Sequence, residues 1–420
     1  MDIRISGTLS GRVMPPPSKS QAHRLLICAA LASEPCTIVC GALNDDIVAT
    51  MNCLNALGAD IKYKDGLFKV QPIEIKKGAT LDCGESGSTL RFLLSVAAAL
   101  GADATFVGSG KLPQRPNGAL CNALALHGIE FERLTADAEL PLVCRGALSG
   151  GNFMLPGNIS SQYLTGLLFA LPLLGDDSTI EITDGLTSAS YVRMTLDALS
   201  CAGVSICNRG NIYKIKGGQK YNLPQSTVVE GDWSAAAFWA VAGVIGARPI
   251  NISGMNCDSL QGDRYIVDHL RKMGAFIEKT DDGVKAHPSQ LFGAELDCMD
   301  TPDLVPVLAV AAAAASGDTH FYNVGRLRYK ESDRLVATQK MLASFGIAST
   351  VGEDTFVVHG GNAQVLGDVD SFGDHRIAMS AAVLSTMASG TATILGAECV
   401  AKSYPHFFDH FEALGGKVNK

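Results

Sequence analysis

The chain has 420 residues, of which 47% are hydrophobic and 18% are charged, and its formal net charge is −8. These proportions are typical of a globular protein of two to three domains, and they exclude a disordered or fibrous chain. The acidic balance disfavours a nucleic-acid partner, so a site for an anionic ligand has to be a local cluster of cations.

The cysteines and the apolar runs indicate the cellular compartment in which the protein is expected. Twelve cysteines are scattered along the chain, and none of them forms a C-x-x-C pair. Scattered thiols in apolar runs are typical of a reducing compartment rather than of a disulfide framework. The N-terminus, MDIRISGTLSG, has no basic-then-apolar signal, and the longest apolar run, 304–315, is too short to span a bilayer. We therefore expect a cytoplasmic protein without a membrane partner.

Six segments, taken in chain order, predict amphipathic helices that stop at a glycine. The segments are 45–61, 117–131, 192–206, 263–277, 332–349 and 406–418, and their stop glycines are Gly58, Gly128, Gly203, Gly274, Gly346 and Gly415. A glycine just after the last periodic residue is typical of a helix end, because glycine takes the left-handed conformation at little cost. The glycines recur at intervals of roughly 70 residues, which indicates a structural repeat.

A second series of helices interleaves with the first. These helices are apolar on nearly all sides and rich in alanine, which predicts that they are buried. They begin near Ser20, Ser88, Ser160, Asp232, Thr301 and His375. Short alternating runs between the helices, such as 203–217 and 354–360, predict strands. The sequence therefore predicts an α/β (α+β) fold of six similar units, most naturally arranged as two domains of three units each.

The starts of the buried helices carry polar side chains that the rest of those helices lack. In chain order these are Lys19, Ser20 and Arg24; Gly87, Ser88 and Arg91; Ser160, Ser161 and Gln162; Asp232; Asp300 and Asp303; and Asp374, His375 and Arg376. Serine and aspartate are ordinary N-caps, but a cation at a helix start opposes the helix dipole. Cations beside exposed backbone N–H groups are explained by an anion, so these starts predict a shared phosphate or carboxylate site.

Two further segments add cations. The loop 110–116 presents Lys111 and Arg115 between prolines, which stiffen it. The segment 326–334 combines several cations with two carboxylates. A solvated, charged helix start explains the second segment equally well.

Ten segments together resemble the enolpyruvyl transferases, and in particular the branch of that family that acts on shikimate 3-phosphate. They occur in the family's order between residues 15 and 408, so the resemblance covers essentially the whole chain. The segments are PSKSQAHR, GESGSTLR, LPQRP, SSQYLTGLL, SASYVRMTLDAL, VEGDWSAAAF, DTPDLVPVLA, RYKESDRL, DHRIAMS and KSYPHFF.

The resemblance implies a fold of two similar domains, each built from three βαβαββ units with buried helices and outer sheets, an inside-out α/β barrel. It places the N-terminal domain at 18–230 and the C-terminal domain at 1–17 plus 231–420. It also implies that the active site lies in the cleft between the two domains.

The resemblance implies an activity as well. Members of this branch transfer the enolpyruvyl group of phosphoenolpyruvate to the 5-hydroxyl of shikimate 3-phosphate and release phosphate, a step towards chorismate and the aromatic amino acids. The implied partners are these small-molecule substrates alone, acting on a monomer without cofactor or metal. Several fixed cations suit two multiply anionic substrates, and arginine forks match carboxylate and phosphate.

Site residues are carried over from the matching segments. Three would be catalytic: Asp303 as the base for the 5-hydroxyl, Glu331 as the acid for the methylene carbon, and Lys19 in proton transfer and charge stabilisation. Phosphoenolpyruvate would be held by Lys19, Gly87, Arg115, Gln162, Arg334, Arg376 and Lys402. Shikimate 3-phosphate would be held by Lys19, Ser20, Arg24, Ser160, Ser161, Gln162, Ser188, Tyr191, Asp303 and Lys330.

Three positions depart from the family pattern near the phosphoenolpyruvate residues. Glu85 stands where many members have asparagine, Ser88 where threonine is frequent, and Phe92 where many have proline. Gly87 leaves room against the phosphoenolpyruvate pocket, which predicts sensitivity to the inhibitor glyphosate.

Two rival interpretations follow from the same family. The sister enzymes that act on UDP-N-acetylglucosamine typically carry a reactive cysteine in the loop matching 110–116, whereas here no cysteine lies between Cys83 and Cys121. The other rival is a non-catalytic binding protein on the same fold. The presence of both Asp303 and Glu331 argues against it.

Overall fold

The chain divides into two compact units in a computed structural model that describes residues 1–419. One, here called the central unit, is the continuous segment Lys19–Val229. The other, the terminal unit, combines Met1–Ser18 with the chain from Glu230 onward. The boundaries expected from the sequence differ from this division by one residue at each crossing.

Both predicted series of helices are present. The buried series consists of α1 (Lys19–Ala30), α3 (Gly87–Leu100), α5 (Ser161–Ala170), α7 (Trp233–Ile245), α9 (Val305–Ala313) and α11 (His375–Ser385). The amphipathic series consists of α2 (Asp45–Leu57), α4 (Gly118–Ala125), α6 (Ala189–Cys201), α8 (Ile266–Lys272), α10 (Arg334–Ser344) and α12 (Phe407–Ala413). The six predicted stop glycines all have positive φ, between 72° at Gly346 and 116° at Gly58. An L side chain rarely takes this conformation, which is why glycine ends each helix.

The strands are numbered in chain order. In the terminal unit they are β1 (Ile3–Gly7), β2 (Gly11–Val13), β15 (Ile250–Ser253), β16 (Phe276–Thr280), β17 (Gly283–His287), β18 (Glu295–Asp297), β19 (Asp318–Tyr322), β20 (Ser349–Val351), β21 (Thr355–His359), β22 (Val369–Asp370), β23 (Ala392–Leu395) and β24 (Gly416–Asn419). In the central unit they are β3 (Cys36–Val39), β4 (Asp60–Lys64), β5 (Leu67–Gln71), β6 (Thr80–Asp82), β7 (Ala104–Val107), β8 (Ile129–Arg133), β9 (Leu142–Gly146), β10 (Gly151–Leu155), β11 (Ser178–Ile182), β12 (Ile206–Arg209), β13 (Ile212–Ile215) and β14 (Ser226–Val228).

Within residues 1–419 these strands form six four-stranded sheets with one common pattern of pairing. In each sheet a parallel pair is followed by two antiparallel pairings; in the sheet β6-β7-β9-β8, for example, only β6 and β7 run parallel. The other orders are β14-β3-β5-β4, β10-β11-β13-β12, β2-β15-β17-β16, β18-β19-β21-β20 and β22-β23-β1-β24. The shared pattern confirms the predicted fold class and the sixfold repeat.

Each unit has its own hydrophobic core, formed by the buried helices and the inward faces of the strands. The strands alternate buried and exposed residues, as β6 does, so the helices lie inside and the sheets cover them. α3 and α5 approach closely at Gly166, where an added Cβ would lie 2.4 Å from the carbonyl oxygen of Arg91. This contact brings the starts of the two helices together.

The fifth buried helix begins later than the sequence predicts. A 3-10 turn at Pro302–Leu304 precedes α9, which starts at Val305 rather than near Thr301. Pro302 and Pro306 lack the backbone N–H that a helix interior needs, so both fit only the first turn. Asp303 therefore lies in the tight turn in front of the helix.

Candidate active site

At the start of α1, Lys19 is held by a carboxylate from the neighbouring helix. Its Nζ lies 2.9 Å from Oδ2 of Asp46, in the first turn of α2, and both side chains are largely buried. Asn44 caps α2 by accepting a hydrogen bond from the N–H of Ile47 at 3.1 Å, which fixes where Asp46 points. Ser20 follows Lys19 in the first turn of α1 and is half-buried.

The starts of α3 and α5 are joined by Gln162. Its Nε2 donates to Oγ of Ser88 at 2.9 Å, and its Oε1 accepts from Nη1 of Arg91 at 2.6 Å. Ser160 caps α5, as its predicted N-cap role requires, whereas α3 is capped by Ser86 and not by Ser88. Ser161 is the first residue of α5 and is buried.

Gly87 faces the guanidinium of Arg115. A Cβ built on Gly87 would lie 2.9 Å from Nη1 of Arg115, closer than such contacts occur, so glycine is needed for this approach. Arg115 follows a 3-10 turn at Leu112–Gln114, which begins with Lys111 exposed to solvent. Gly87 and Arg115, both predicted to hold phosphoenolpyruvate, are thus brought together.

Arg24 lies one turn further into α1 and is 3% exposed. It donates from Nε to Oγ1 of Thr195 at 2.9 Å, from Nη1 to the carbonyl of Ser20 at 2.6 Å, and from Nη2 to the carbonyl of Tyr191 at 2.9 Å. Ser188, the N-cap of α6, takes a left-handed conformation with φ 55°. The structure therefore joins Ser20, Arg24 and Tyr191, three of the residues predicted to hold shikimate 3-phosphate.

In the terminal unit, Asp303 is surrounded by three cations. Its Oδ1 lies 2.9 Å from Nη1 of Arg334 and 3.3 Å from Nζ of Lys330. Its Oδ2 lies 3.2 Å from Nη2 of Arg376, whose Nη1 also donates to the Asp303 carbonyl at 3.0 Å. Burial alone raises the pKa of Asp303, but Arg376, Lys330 and Arg334 outweigh burial and hold it well below its usual range. Asp303 is therefore ionised.

Arg334 binds two further carboxylates. Its Nη2 lies 2.5 Å from Oε2 of Glu331, and its Nε lies 2.8 Å from Oδ2 of Asp374. Burial lowers the pKa of Arg334, yet the carboxylates of Asp374, Glu331 and Asp303 raise it overall. Asp374 also caps α11 by accepting from the N–H of Arg376 at 3.0 Å, which links that cap to the cation cluster.

The sequence left two interpretations of the segment 326–334 open, a solvated helix start and a source of cations for an anion site. The structure shows some residues in each role. Arg328 lies towards solvent and pairs with Asp333, the N-cap of α10, as a solvated helix start would. Lys330 and Arg334 turn instead to Asp303. Burial lowers the pKa of Lys330, although Asp303 opposes that shift.

Lys402 is the last residue of a 3-10 turn at Ala397–Lys402 and is buried. The structure thus gathers Lys330, Arg334 and Arg376 around Asp303 by direct contact, and it joins Glu331 to them through Arg334. In residues 1–419 no group of three or more metal-ligating side chains is close enough to hold a metal ion. The same stretch contains no helix long and apolar enough to cross a membrane.

Sequence reasoning missed several residues of these clusters. Asp46 was read as part of an amphipathic helix, and Asp374 as a helix cap only. Phe92 lies under Arg24, with the guanidinium carbon 5.3 Å from its ring centroid. Asp263 is buried and bonded to Ser234 at the start of α7. The acidic pair Asp45-Asp46 was the one local signal, because a carboxylate in a first turn can be more than a cap.

In both units, buried cations lie at helix starts, which is typical of sites that bind anionic groups. In the terminal unit a carboxylate lies among these cations, a combination typical of enzymes. The family model for EPSP synthase (3-phosphoshikimate 1-carboxyvinyltransferase) matches residues 3–411. Two relatives bear the name 3-phosphoshikimate 1-carboxyvinyltransferase. That of Clostridium kluyveri is 43% identical over 418 residues, and that of Clostridium acetobutylicum is 42% identical over 419. Each match covers 98% of this chain and 96% of the relative.

Solved structures agree. EPSP synthase from Acinetobacter baumannii aligns with a TM-score of 0.82 at 25% identity and covers 100% of both chains. An enolpyruvyl transferase from Streptomyces tendae shares the fold, with a TM-score of 0.80 at 20% identity, covering 100% of this chain and 98% of the other. The chain belongs to the EPSP synthase (3-phosphoshikimate 1-carboxyvinyltransferase) family.

Proposed function

We infer that this protein is an enzyme that transfers the enolpyruvyl group of phosphoenolpyruvate to the 5-hydroxyl of shikimate 3-phosphate. The family match supports this activity, and one structural observation carries it: the Asp303 carboxylate lies within 3.3 Å of three cations, Lys330, Arg334 and Arg376. The reaction forms a bond from the 5-oxygen to carbon 2 of phosphoenolpyruvate while carbon 3 gains a proton. It then breaks the bond from carbon 2 to the phosphate oxygen, and carbon 3 loses a proton as phosphate leaves.

In this proposal Asp303 accepts the proton of the 5-hydroxyl. An ionised carboxylate can accept a proton, and the cations around it keep it ionised before the substrate arrives. Lys330 contacts the same carboxylate at 3.3 Å, and its ammonium would hold the substrate beside the base. Asp303 and Lys330 would then both contact the 5-hydroxyl of shikimate 3-phosphate.

Glu331 is proposed as the acid that protonates the methylene carbon. Its Oε2 bonds to Arg334, which also binds Asp303, so the two carboxylates are held at one guanidinium. Lys19, paired with Asp46 in the central unit, is assigned to proton transfer and charge stabilisation. Since the assigned residues come from both units, turnover requires both of them.

The binding roles of the remaining residues follow the same assignment. Gly87, Arg115, Gln162, Arg334, Arg376 and Lys402, with Lys19, would hold phosphoenolpyruvate. Ser20, Arg24, Ser160, Ser161, Gln162, Ser188, Tyr191, Asp303 and Lys330, with Lys19, would hold shikimate 3-phosphate. The bonds from Gln162 to Ser88 and Arg91 support a place for Gln162 in both sets, because they fix the amide at the junction of α3 and α5.

Glyphosate is proposed as an inhibitor that competes with phosphoenolpyruvate. The absence of a side chain on Gly87 keeps Arg115 in reach of an anion there. Glyphosate titrations of the wild-type enzyme should give an inhibition constant comparable to the KM for phosphoenolpyruvate. A constant far above that KM would contradict this part of the proposal.

We also propose a cytoplasmic monomer. All 12 cysteines are free thiols, and most of them are buried, which fits a reducing compartment. Light scattering on the purified protein should give a mass near 44.0 kDa, the mass of one chain. A mass of twice that value would exclude the monomer.

A phosphate-release assay tests the activity. The full-length protein is supplied with phosphoenolpyruvate and either shikimate 3-phosphate or UDP-N-acetylglucosamine. We expect phosphate release with shikimate 3-phosphate alone. No release with that acceptor would overturn the proposal, release with UDP-N-acetylglucosamine would favour the sister enzyme, and binding without release would favour a non-catalytic protein.

A further inference from the structure

Arg24 is a cation buried inside the central unit. Its side chain is 3% exposed, and among residues 1–419 no carboxylate forms an ion pair with it. Its three hydrogen bonds go to neutral oxygens, one hydroxyl and two carbonyls. Burial lowers its pKa to about 10, so the guanidinium is still charged at neutral pH. Some other group has to offset the cost of burying this charge.

Two aromatic rings surround the guanidinium. Its central carbon lies 5.3 Å from the ring centroid of Phe92 and 5.9 Å from that of Tyr191. Both distances are within the range in which the negative face of a ring attracts a cation. Phe92 is fully buried in α3 and also packs edge-to-face with Phe169, with the ring centroids 5.9 Å apart.

Neutral partners leave Arg24 ready to bind an anion. A guanidinium has five N–H donors, of which the three bonds to Thr195, Ser20 and Tyr191 use one on each nitrogen. One N–H therefore remains on each of Nη1 and Nη2, the pair that grips a phosphate or carboxylate bidentately. A carboxylate partner would compete with that ligand, whereas a ring does not.

We propose that Phe92 is a positioning residue for shikimate 3-phosphate binding: its ring, with that of Tyr191, takes the place of a counter-ion and holds Arg24 ready for an anionic group of that substrate. The proposal rests on the function proposed above. It gives a role to a position at which this chain departs from the proline that many family members carry. It also predicts that Phe92 affects one substrate and not the other.

Phe169 provides a matched control. It is a fully buried phenylalanine in the same cluster and contacts Phe92, but no cation–π contact joins it to Arg24 in the described residues. Phe92→Leu and Phe169→Leu each remove one ring from the same core, so similar losses in Tm are expected. Phe92→Tyr keeps a ring over Arg24 and serves as the conservative variant.

The test is calorimetric titration of the full-length protein and its variants with shikimate 3-phosphate, followed by steady-state kinetics. We expect Phe92→Leu to raise the Kd about 3- to 30-fold. Phe169→Leu should stay within about twofold of wild type, and Phe92→Tyr should bind better than Phe92→Leu. The KM for phosphoenolpyruvate, measured with saturating shikimate 3-phosphate, should not change in any variant.

The outcomes separate this proposal from the function on which it rests. If wild type does not bind shikimate 3-phosphate, the proposed function fails first. If wild type binds it and Phe92→Leu binds as tightly, Phe92 does not position Arg24. If Phe92→Leu and Phe169→Leu weaken binding equally, the effect belongs to the core as a whole and the proposal is wrong.

Discussion

The charges of two buried arginines, Arg334 in the terminal unit and Arg24 in the central unit, are compensated in opposite ways. Both guanidinium groups are buried, with Arg334 1% exposed. Arg334 binds three carboxylates, while Arg24 is held by three neutral oxygens and two rings. A buried cation with its own anions is neutralised in the fold, whereas one held by neutral groups is neutralised only by a ligand. In the proposed function, the first arrangement lets Arg334 fix the proposed acid and base while it also contacts phosphoenolpyruvate, whereas the second leaves the charge of Arg24 to be neutralised by substrate.

The largest effect should come from the carboxylate that the three cations of the terminal unit share. Asp303→Asn keeps the shape of the side chain but removes the proposed base, so kcat should fall about 10²- to 10⁴-fold. Asp318→Asn, a change of the same kind at a half-exposed residue, is the control and should leave kcat unchanged. Steady-state phosphate release measures both variants, and full activity in Asp303→Asn would show that the base is misassigned.

The next largest effect should be a difference in the free energy of unfolding between variants of Arg334 and Arg24. Arg334→Met leaves Asp303, Glu331 and Asp374 without their shared partner, which should cost about 3–5 kcal/mol in the free energy of unfolding. Arg24→Met leaves no carboxylate unpaired, so its cost should stay within about 1 kcal/mol even though shikimate 3-phosphate binding is lost. Urea unfolding of both variants tests the comparison. Equal costs would show that Arg24 is stabilised as strongly as an ion-paired residue.

A smaller effect is expected at Gly87, where the central unit holds Arg115. In Gly87→Ala the new methyl group would lie 2.9 Å from Nη1 of Arg115, so the flexible guanidinium has to move. The KM for phosphoenolpyruvate should rise about 10- to 100-fold, the cost of losing a charged hydrogen bond, while Tm changes little. Gly118→Ala has open space around its Cβ and serves as the control. An unchanged KM in Gly87→Ala would remove Arg115 from the binding set.

The smallest effect is a pH dependence of stability that differs in sign between the two units. In the terminal unit, burial raises the pKa of Asp263 from 3.8 to about 6, helped by Asp303 and Asp232 and opposed by Arg376 and the Ser234 hydroxyl. The folded state therefore binds this proton more tightly than the unfolded state, and the carboxyl costs stability as pH rises through that window. Asp263→Asn cannot ionise, so its stability relative to wild type should be higher at pH 8 than at pH 5, by about 1 kcal/mol.

Thermal unfolding at the two pH values measures this difference. Asp258→Asn, at an exposed side chain, should show none. In the central unit the sign is reversed, because burial lowers the pKa of His23 from 6.5 to about 3. That neutral imidazole contributes stability that is lost as pH falls from 6.5 towards 3. A relative stability of Asp263→Asn that does not change with pH would mean that the carboxyl titrates normally.

The sequence predicted the repeat because each repeated signal is local. A glycine such as Gly58 ends a helix whatever lies elsewhere in the fold, and an all-apolar run such as α7 is buried wherever it packs. Motif resemblance then supplied the residues around Asp303. The late start of α9 was missed because Pro302 fits the first turn of a helix that begins near Thr301, although Pro306 would lie in the interior of that helix and so argues for a later start.

The sequence alone could not predict which side chains contact the site residues. Lys19 and Asp46 are 27 positions apart, and Arg334 and Asp374 are 40 apart, so only the packed fold brings them together. Phe92 is harder still, since an apolar residue in an apolar helix predicts core and nothing more. Its contact with Arg24 joins α3 to α1, two helices far apart in the sequence, and no local pattern encodes such a contact.

The pairing of β1 sets an order in which the newly made chain can fold. β1 pairs with β23 and β24, and β2 pairs with β15, whereas every strand of the central unit finds its partners within that unit. During synthesis the central unit can fold once Val229 has left the ribosome. β1 and β2 are made before the central unit, but their partners β23, β24 and β15 are made after it. β1 and β2 therefore stay without their sheets while the whole central unit is being made.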